Sequence, residues 1–323
     1  MIAVLRGKSL AFGAVVILLS ATYPRTGVAS TPGRAPKWYE LTPDRVQPHG
    51  ERSNALRRVP GSAKAFTLTQ INDGSNPPDW FPAEHPPAPR IVAHGLPPSV
   101  PACALCHLYS GQGHPESANL AGQPAAYLLR QMVDFRTGSR IDPVRMSAIA
   151  KRISGQDDRA AALWFSRLRP TVWFRAVESS RVPRTWITTD HLRLRRANGG
   201  WEPLGQRIVE VADNSRLALD RDPHSGFTSY VPPGSIAKGQ RLAQTGVGGR
   251  SFACTTCHGP RLEGSAEIPR IAGLSAVYVA RQLAGFRGKA RTGPEAEPMR
   301  VVANELTQDD ILDLAAYLVS LKP

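Results

Sequence analysis

The strongest constraint on this 323-residue chain is an internal repeat. Residues 101–136 match residues 252–287 at a constant offset of 151, and fourteen of these 36 positions are identical. After a two-residue gap the match resumes at an offset of 153, where Met146 aligns with Met299. Because a short shared motif would not extend this far, the sequence predicts two copies of one domain.

Each copy contains a Cys-x-x-Cys-His motif, and the two motifs hold all four cysteines of the chain. In this spacing the thiols can bond to the two vinyl groups of one haem, while the adjacent histidine reaches the iron. The sequence therefore predicts two covalently bound haem c groups. The predicted attachment residues are Cys103, Cys106, Cys254 and Cys257, and the predicted iron ligands are His107 and His258.

Two other uses of such cysteines are a zinc site and a thioredoxin-like redox site. A thioredoxin-like site is disfavoured because each motif ends in histidine and lacks a βαβ setting. A chance or zinc-binding motif is disfavoured because the motif occurs twice within a duplicated domain.

Each iron needs a second ligand, and the chain has four methionines that could supply one. Met1 is set aside because it belongs to the signal peptide that is expected over residues 1–29. Met132 aligns with Leu283 on the apolar face of a predicted helix, which indicates packing. Met146 and Met299 lie 39 and 41 residues after their motif histidines, each before a predicted helix. Thioether ligation by these two is therefore expected, and it would close both irons to substrates. His114 is an alternative to Met146.

Helical periodicity and capping residues predict two matched helices in each copy. The second copy also has an N-terminal helix near 235–244, whereas prolines at 86–89 and 97–98 shorten or replace that helix in the first copy. The matched helices are predicted at 125–135 and 157–168 in the first copy, and at 276–286 and 308–321 in the second.

The segment between the copies departs from helical patterning and predicts a small β-rich insertion over 170–234. A proline-rich extension over 30–100 precedes the first copy, with one possible strand at 66–71. The insertion strands are expected near 171–177, 184–189, 191–196 and 205–211.

Residues 1–29 carry early basic residues, an apolar run and a small-residue end. The apolar run is shorter than the ~20 residues that a spanning helix needs, so a cleaved signal peptide and export to the periplasm are expected. An uncleaved anchor is the alternative. The formal charge is +14 for the full chain and +11 without the leader. This charge favours redox partners with acidic surfaces or peripheral contact with anionic membranes, and export argues against nucleic acid as a partner.

Over 101–168 and 235–321 the chain resembles the tandem, two-haem class I cytochromes c of bacterial periplasms. The resemblance implies a mainly α fold of two cytochrome c domains, at 101–169 and 235–323, joined by the insertion. It also implies that a carbonyl at Pro269 orients His258. The first copy departs from the family pattern, with Ala118 at the position of Pro269 and Arg145 before the methionine.

These features predict an electron carrier or the electron-accepting subunit of a dehydrogenase or respiratory complex. No independent catalysis is expected. A two-haem peroxidase is the main alternative, since it also carries two such motifs but needs one open iron position. A non-catalytic haem sensor or assembly factor that uses the insertion as its contact surface is the third hypothesis.

Overall fold

The computed structural model describes residues 38–44, 54–249 and 251–323. The predicted signal peptide lies outside the described residues. Within them, both repeats are helical, and all seven strands fall in the insertion. None of the helices in this described part is long and apolar enough to cross a membrane.

The extension forms two single-turn helices, α1 (Leu68–Ile71) and α2 (Arg90–Ala93). The strand predicted at 66–71 is therefore wrong. Thr67 accepts a hydrogen bond from the Gln70 backbone N–H, and the Gln70 side chain accepts one from the Thr67 N–H at 2.8 Å. This capping box starts a helix where periodicity alone favoured a strand. As the prolines predict, the first repeat has only the short α2 in place of a full N-terminal helix.

The first repeat contains four helices around one apolar core. The long helices α4 and α6 match the predicted ones within two residues at each end, and the Ser154 side chain caps α6 by accepting from the Asp157 N–H. Phe165 and Ala121 are among the residues buried in this core, and Val92 of α2 joins them. The helices are α3 (Cys103–His107), α4 (Ala125–Thr137), α5 (Met146–Ala150) and α6 (Gly155–Ser166).

The second repeat contains five helices, including a full N-terminal one. This helix packs so closely on the C-terminal helix that a Cβ added at Gly239 would lie 1.9 Å from the Asp313 carbonyl oxygen. Thr307 and Asp310 form a capping box at the start of the C-terminal helix. The helices are α8 (Ser235–Thr245), α9 (Cys254–His258), α10 (Ala276–Arg287), α11 (Glu297–Asn304) and α12 (Gln308–Ser320).

The insertion contains seven short strands and one helix, in three small sheets. β1 pairs in parallel with β7, which pairs antiparallel with β6; β2 pairs with β5 and β3 with β4, both antiparallel. The elements are β1 (Phe174–Glu178), β2 (Arg181–Pro183), β3 (Thr185–Ile187), β4 (Arg193–Arg195), β5 (Trp201–Pro203), β6 (Val209–Ala212), α7 (Ser215–Leu219) and β7 (Phe227–Val231). The strands predicted from the sequence overlap β1, β3, β4 and β6 and miss the other three.

A buried carboxylate joins the insertion to the second repeat. Glu210 of β6 is 1% exposed and accepts hydrogen bonds from the Ser229 hydroxyl at 2.9 Å and the Ser275 hydroxyl at 2.5 Å. It also accepts from the Ala276 backbone N–H at 2.7 Å, at the start of α10. A negative side chain here satisfies helix donors that would otherwise be buried without a partner.

The extension is joined to the insertion by a second buried carboxylate. Asp220 is fully buried and pairs with Arg57 and Arg216, each at 2.8 Å. Its backbone carbonyl accepts a hydrogen bond from the Trp80 indole at 2.8 Å. The extension therefore packs on the insertion as well as on the first repeat.

We predict that Glu210→Ala lowers the free energy of unfolding by about 3 kcal/mol, because it leaves buried donors unpaired. The matched control is Glu178→Ala, since Glu178 of β1 accepts from the first N–H groups of α8 but is exposed. That change should cost only about 1 kcal/mol. Urea unfolding of the holoprotein followed by circular dichroism measures both, and equal losses would contradict the joining role of Glu210.

Candidate haem attachment sites

The cysteines of each motif lie on a single-turn helix, α3 or α9, and all four are free thiols. Burial raises the pKa of Cys103 to about 12 and that of Cys254 to about 11. Within the described residues, no group of three or more His, Cys, Asp or Glu side chains could hold a metal ion.

Both motif histidines are oriented by a backbone carbonyl. His107 Nδ1 lies 2.9 Å from the Ala118 carbonyl oxygen, and His258 Nδ1 lies 2.8 Å from that of Pro269. Since a carbonyl accepts, Nδ1 carries the proton and Nε2 keeps its lone pair for a metal. The first repeat has Ala118 where the second has Pro269, but the accepting carbonyl is retained because it belongs to the main chain. Burial lowers the pKa of both histidines, which favours the neutral imidazole.

The two methionines predicted as ligands lie in equivalent short helices, α5 and α11, ahead of the C-terminal helices. Met299 is half-buried and packs against Phe286, Ala296 and Ala303. Met146 is also half-buried but packs against none of the buried apolar clusters of the described chain. Met132 packs against the core of the first repeat, as expected of a packing residue.

His114, considered as a substitute for Met146, is buried beside the insertion. It lines a cavity of about 220 Å³ together with Trp173, Arg221 and Ser225. Burial, assisted by the charge of Arg221, lowers the pKa of His114 to about 3, so the imidazole is neutral. Its Nδ1 atom has no hydrogen-bond partner among the described residues.

The two repeats contact each other through equivalent residues. Arg130 donates to the Glu267 carbonyl at 2.6 Å, and its guanidinium lies 3.6 Å from the Glu267 carboxylate. The equivalent Arg281 pairs with Glu116 and donates to the Pro115 carbonyl at 3.2 Å. Arg130 is equivalent to Arg281, and Glu116 to Glu267, at the repeat offset of 151. Each repeat therefore makes the same contact with the other, and the repeats meet about a pseudo-twofold axis.

At the centre of this contact lies a cluster of polar residues that we call the interface cluster. Arg140 donates to Gln131 at 2.7 Å and to Gln282 at 2.8 Å, and Arg291 donates to the same two glutamines at 2.7 and 3.1 Å. Arg140 also lies 3.3 Å from the Tyr278 hydroxyl. Arg140 and Arg291 lie outside the matched segments, four residues after each of them ends, but they too are related by the offset of 151. That shared offset is the sequence signal that could have identified them.

The interface cluster buries two positive charges, and Asp134 acts on both of them electrostatically without forming an ion pair. Arg140 is 8% exposed and Arg291 is 9% exposed, and neither forms an ion pair with a carboxylate of the described residues. Buried charges are costly unless they are paired. Two anionic groups brought to this contact, such as haem propionates, would supply the missing charge, so the donor set fits a haem on each side.

Comparison with known proteins agrees with this geometry. A family model for cytochrome c matches residues 236–322. The cytochrome c-554(548) of Halomonas halodenitrificans is 38% identical over 68 residues, covering 21% of this chain and 82% of that protein. The cytochrome c4 of Azotobacter vinelandii is 29% identical over 231 residues, covering 68% of this chain and 84% of that protein.

A longer match is a thiosulfate dehydrogenase electron acceptor of Thiomonas intermedia, which is 27% identical over 229 residues, covering 69% of this chain and 80% of that protein. The chain therefore belongs to the cytochrome c family. Its function is electron transfer, and its cofactor is covalently bound haem c.

We predict unequal losses for the two equivalent arginines. Arg281→Ala should lower the free energy of unfolding by about 2 kcal/mol, because the Arg281 and Glu116 side chains are only 24% and 18% exposed. Arg130→Ala should cost less than about 1 kcal/mol, because the Glu267 side chain is 72% exposed. Both variants lose one positive charge, so each controls for the other in urea unfolding. Equal losses would contradict this difference between the two ion pairs.

Proposed function

We propose that this protein holds one haem c at each motif and passes electrons between redox proteins in the periplasm. The observation that carries this proposal is the matched pair of sites, each with two free thiols and a histidine whose Nε2 is available. Haem c, when bound, supplies an iron that takes up and releases one electron. Cys103 and Cys106 would hold the first group, and Cys254 and Cys257 the second.

The same geometry supports a set of iron ligands. His107 and His258 would bind the irons through Nε2, held in place by the carbonyls of Ala118 and Pro269. Met146 and Met299 would each supply a thioether as the second protein ligand. A histidine and methionine pair raises the reduction potential and leaves no position for substrate, which suits electron transfer rather than peroxidase chemistry.

The interface cluster would support exchange between the repeats. Arg140 and Arg291 are positioned to hold anionic haem groups from both sides of the contact, while Gln131 and Gln282 fix the two guanidiniums. Because the repeats are joined by buried polar contacts, they would keep a fixed separation, as efficient transfer between two centres requires.

The partner class is a redox protein, either in a shuttle or in a complex with a dehydrogenase. The relative named thiosulfate dehydrogenase electron acceptor supports the role of electron-accepting subunit. The charge of +11 that remains without residues 1–29 would steer acidic partners toward the protein and permit peripheral contact with anionic membranes.

We predict that the mature protein gains the mass of two haems, since both motifs are complete. Intact mass and haem-stained denaturing gels measure this. The double variant Cys254→Ala/Cys257→Ala should keep one haem, and so should Cys103→Ala/Cys106→Ala. A wild-type mass gain of one haem, or haem that acidic acetone extracts, would contradict the proposal.

We predict that Met299→Ala removes about half of the sulfur-to-iron charge-transfer band of the oxidised protein, lowers one reduction potential and opens a site for cyanide. Met146→Ala should do the same at the other haem. Met132→Ala is the matched control: its half-buried side chain should cost about 1–2 kcal/mol of stability and leave the band unchanged. A high-spin haem and fast peroxide turnover in the wild-type protein would instead favour the peroxidase.

A further inference from the structure

The two motifs differ in how far they are covered by the rest of the chain. In the second repeat Thr256 and Cys257 are exposed, and Phe252, two residues before the motif, is 68% exposed. In the first repeat the equivalent residues are Leu105 and Cys106, and both are less exposed than their counterparts. Because both repeats carry the same motif, the difference in exposure must come from the rest of the chain.

The cover over the first motif comes from the extension and the insertion. Arg221 of the insertion donates to the Leu105 carbonyl at 2.6 Å and to the Ile71 carbonyl of the extension at 3.1 Å. The Ala102 N–H before the motif donates to the Gly74 carbonyl of the extension at 2.8 Å.

A side chain of the first repeat itself, Arg145, also contacts Cys106 and links it to the insertion. Arg145 lies 3.7 Å from Cys106 Sγ and 3.9 Å from the Asp190 carboxylate of the insertion. Backbone contacts from two segments and a charged side chain therefore stand between the first motif and a docking protein.

We propose that electrons enter and leave this protein through the second motif, at a contact face formed by Phe252, Thr256 and Cys257, while the extension and insertion close the first motif to protein partners. The proposal rests on the proposed function, because it assumes a haem at each motif. Electron transfer weakens steeply with distance, so a partner must dock where the attachment site reaches the surface.

The chemistry of the exposed face defines the partner. Residues 251–260 contain no Asp, Glu, Lys or Arg, the one histidine among them, His258, is buried, and the Arg261 that follows them pairs with Glu263 at 3.6 Å. A large exposed aromatic side chain in a segment without charged residues is typical of the centre of a protein contact. The face therefore fits a redox protein whose own cofactor lies beneath an apolar, uncharged surface, and the net charge of the chain acts on the approach rather than on this contact.

The test uses the full-length holoprotein and, as probe, a small blue-copper protein whose copper lies beneath an apolar surface patch. Stopped-flow spectroscopy measures the second-order rate of electron exchange for Phe252→Ala and for the matched control Leu56→Ala. Leu56 lies in the extension and is 64% exposed, so both changes remove an exposed apolar side chain without altering charge.

Phe252→Ala should slow exchange roughly tenfold at both low and high ionic strength, as loss of a central aromatic contact does. Leu56→Ala should leave the rate within about twofold, as expected of a residue outside the contact. Hydroxyl-radical footprinting should show that the probe protein protects Phe252 and leaves Leu56 reactive.

Unchanged exchange in Phe252→Ala, or protection that falls on the extension and insertion, would overturn this inference. Intact mass and reduction potentials are measured on the same samples. A wild-type protein with one haem refutes the proposed function, whereas two haems with an unchanged exchange rate refute only the contact face.

Discussion

The burial of two guanidinium groups between the repeats is the interaction on which the arrangement of this protein depends. Arg140 and Arg291 lie together at the pseudo-twofold contact and share Gln131 and Gln282 as acceptors. Amide oxygens compensate for part of the lost hydration of a guanidinium, but they bring no negative charge. Anionic groups of two bound haems would supply such charge, and cofactor binding would then be coupled to the relative position of the repeats.

The extension takes the place of an element that the first repeat lacks. In the second repeat α8 covers the C-terminal helix α12, with Gly239 at the closest approach. The prolines of the first repeat leave only the single turn of α2, whose Ile91 and Val92 enter the first core. The Trp164 indole of α6 donates to the Pro86 carbonyl at 3.1 Å, which fastens the preceding segment to the same helix.

The lack of a full N-terminal helix in the first repeat explains why the extension and the insertion are bound to each other. A segment without a full helix of its own gains few local contacts, so its stability must come from tertiary partners. Asp220 supplies such a partner by binding Arg57 and by accepting from Trp80 through its carbonyl. Glu210 then joins the insertion to α10, so a continuous set of buried contacts runs from the extension to the second repeat.

Sequence patterns predicted the elements whose signals are local. Ser154 and Thr307 mark helix starts that the structure confirms. The failed strand at 66–71 shows the limit of periodicity, because four residues with a capping box outweigh a short alternating pattern. The partners of Arg140 were beyond local signals, since its contacts with Gln282 and Tyr278 span more than 130 residues of sequence.

The departures of the first repeat from the family pattern have a common electrostatic consequence. Arg145 stands before Met146, and Arg221 of the insertion reaches the backbone of the same motif. A cation near a redox centre favours the form that carries the additional electron, and the effect is strongest where burial excludes water. With a haem at the first motif, Arg145 and Arg221 would favour its reduced state, while the contacts that they form would separate it from partners. The second motif has no such cover, so the proposed contact face would give the two copies of one domain different tasks: holding an electron in the first and exchanging it in the second.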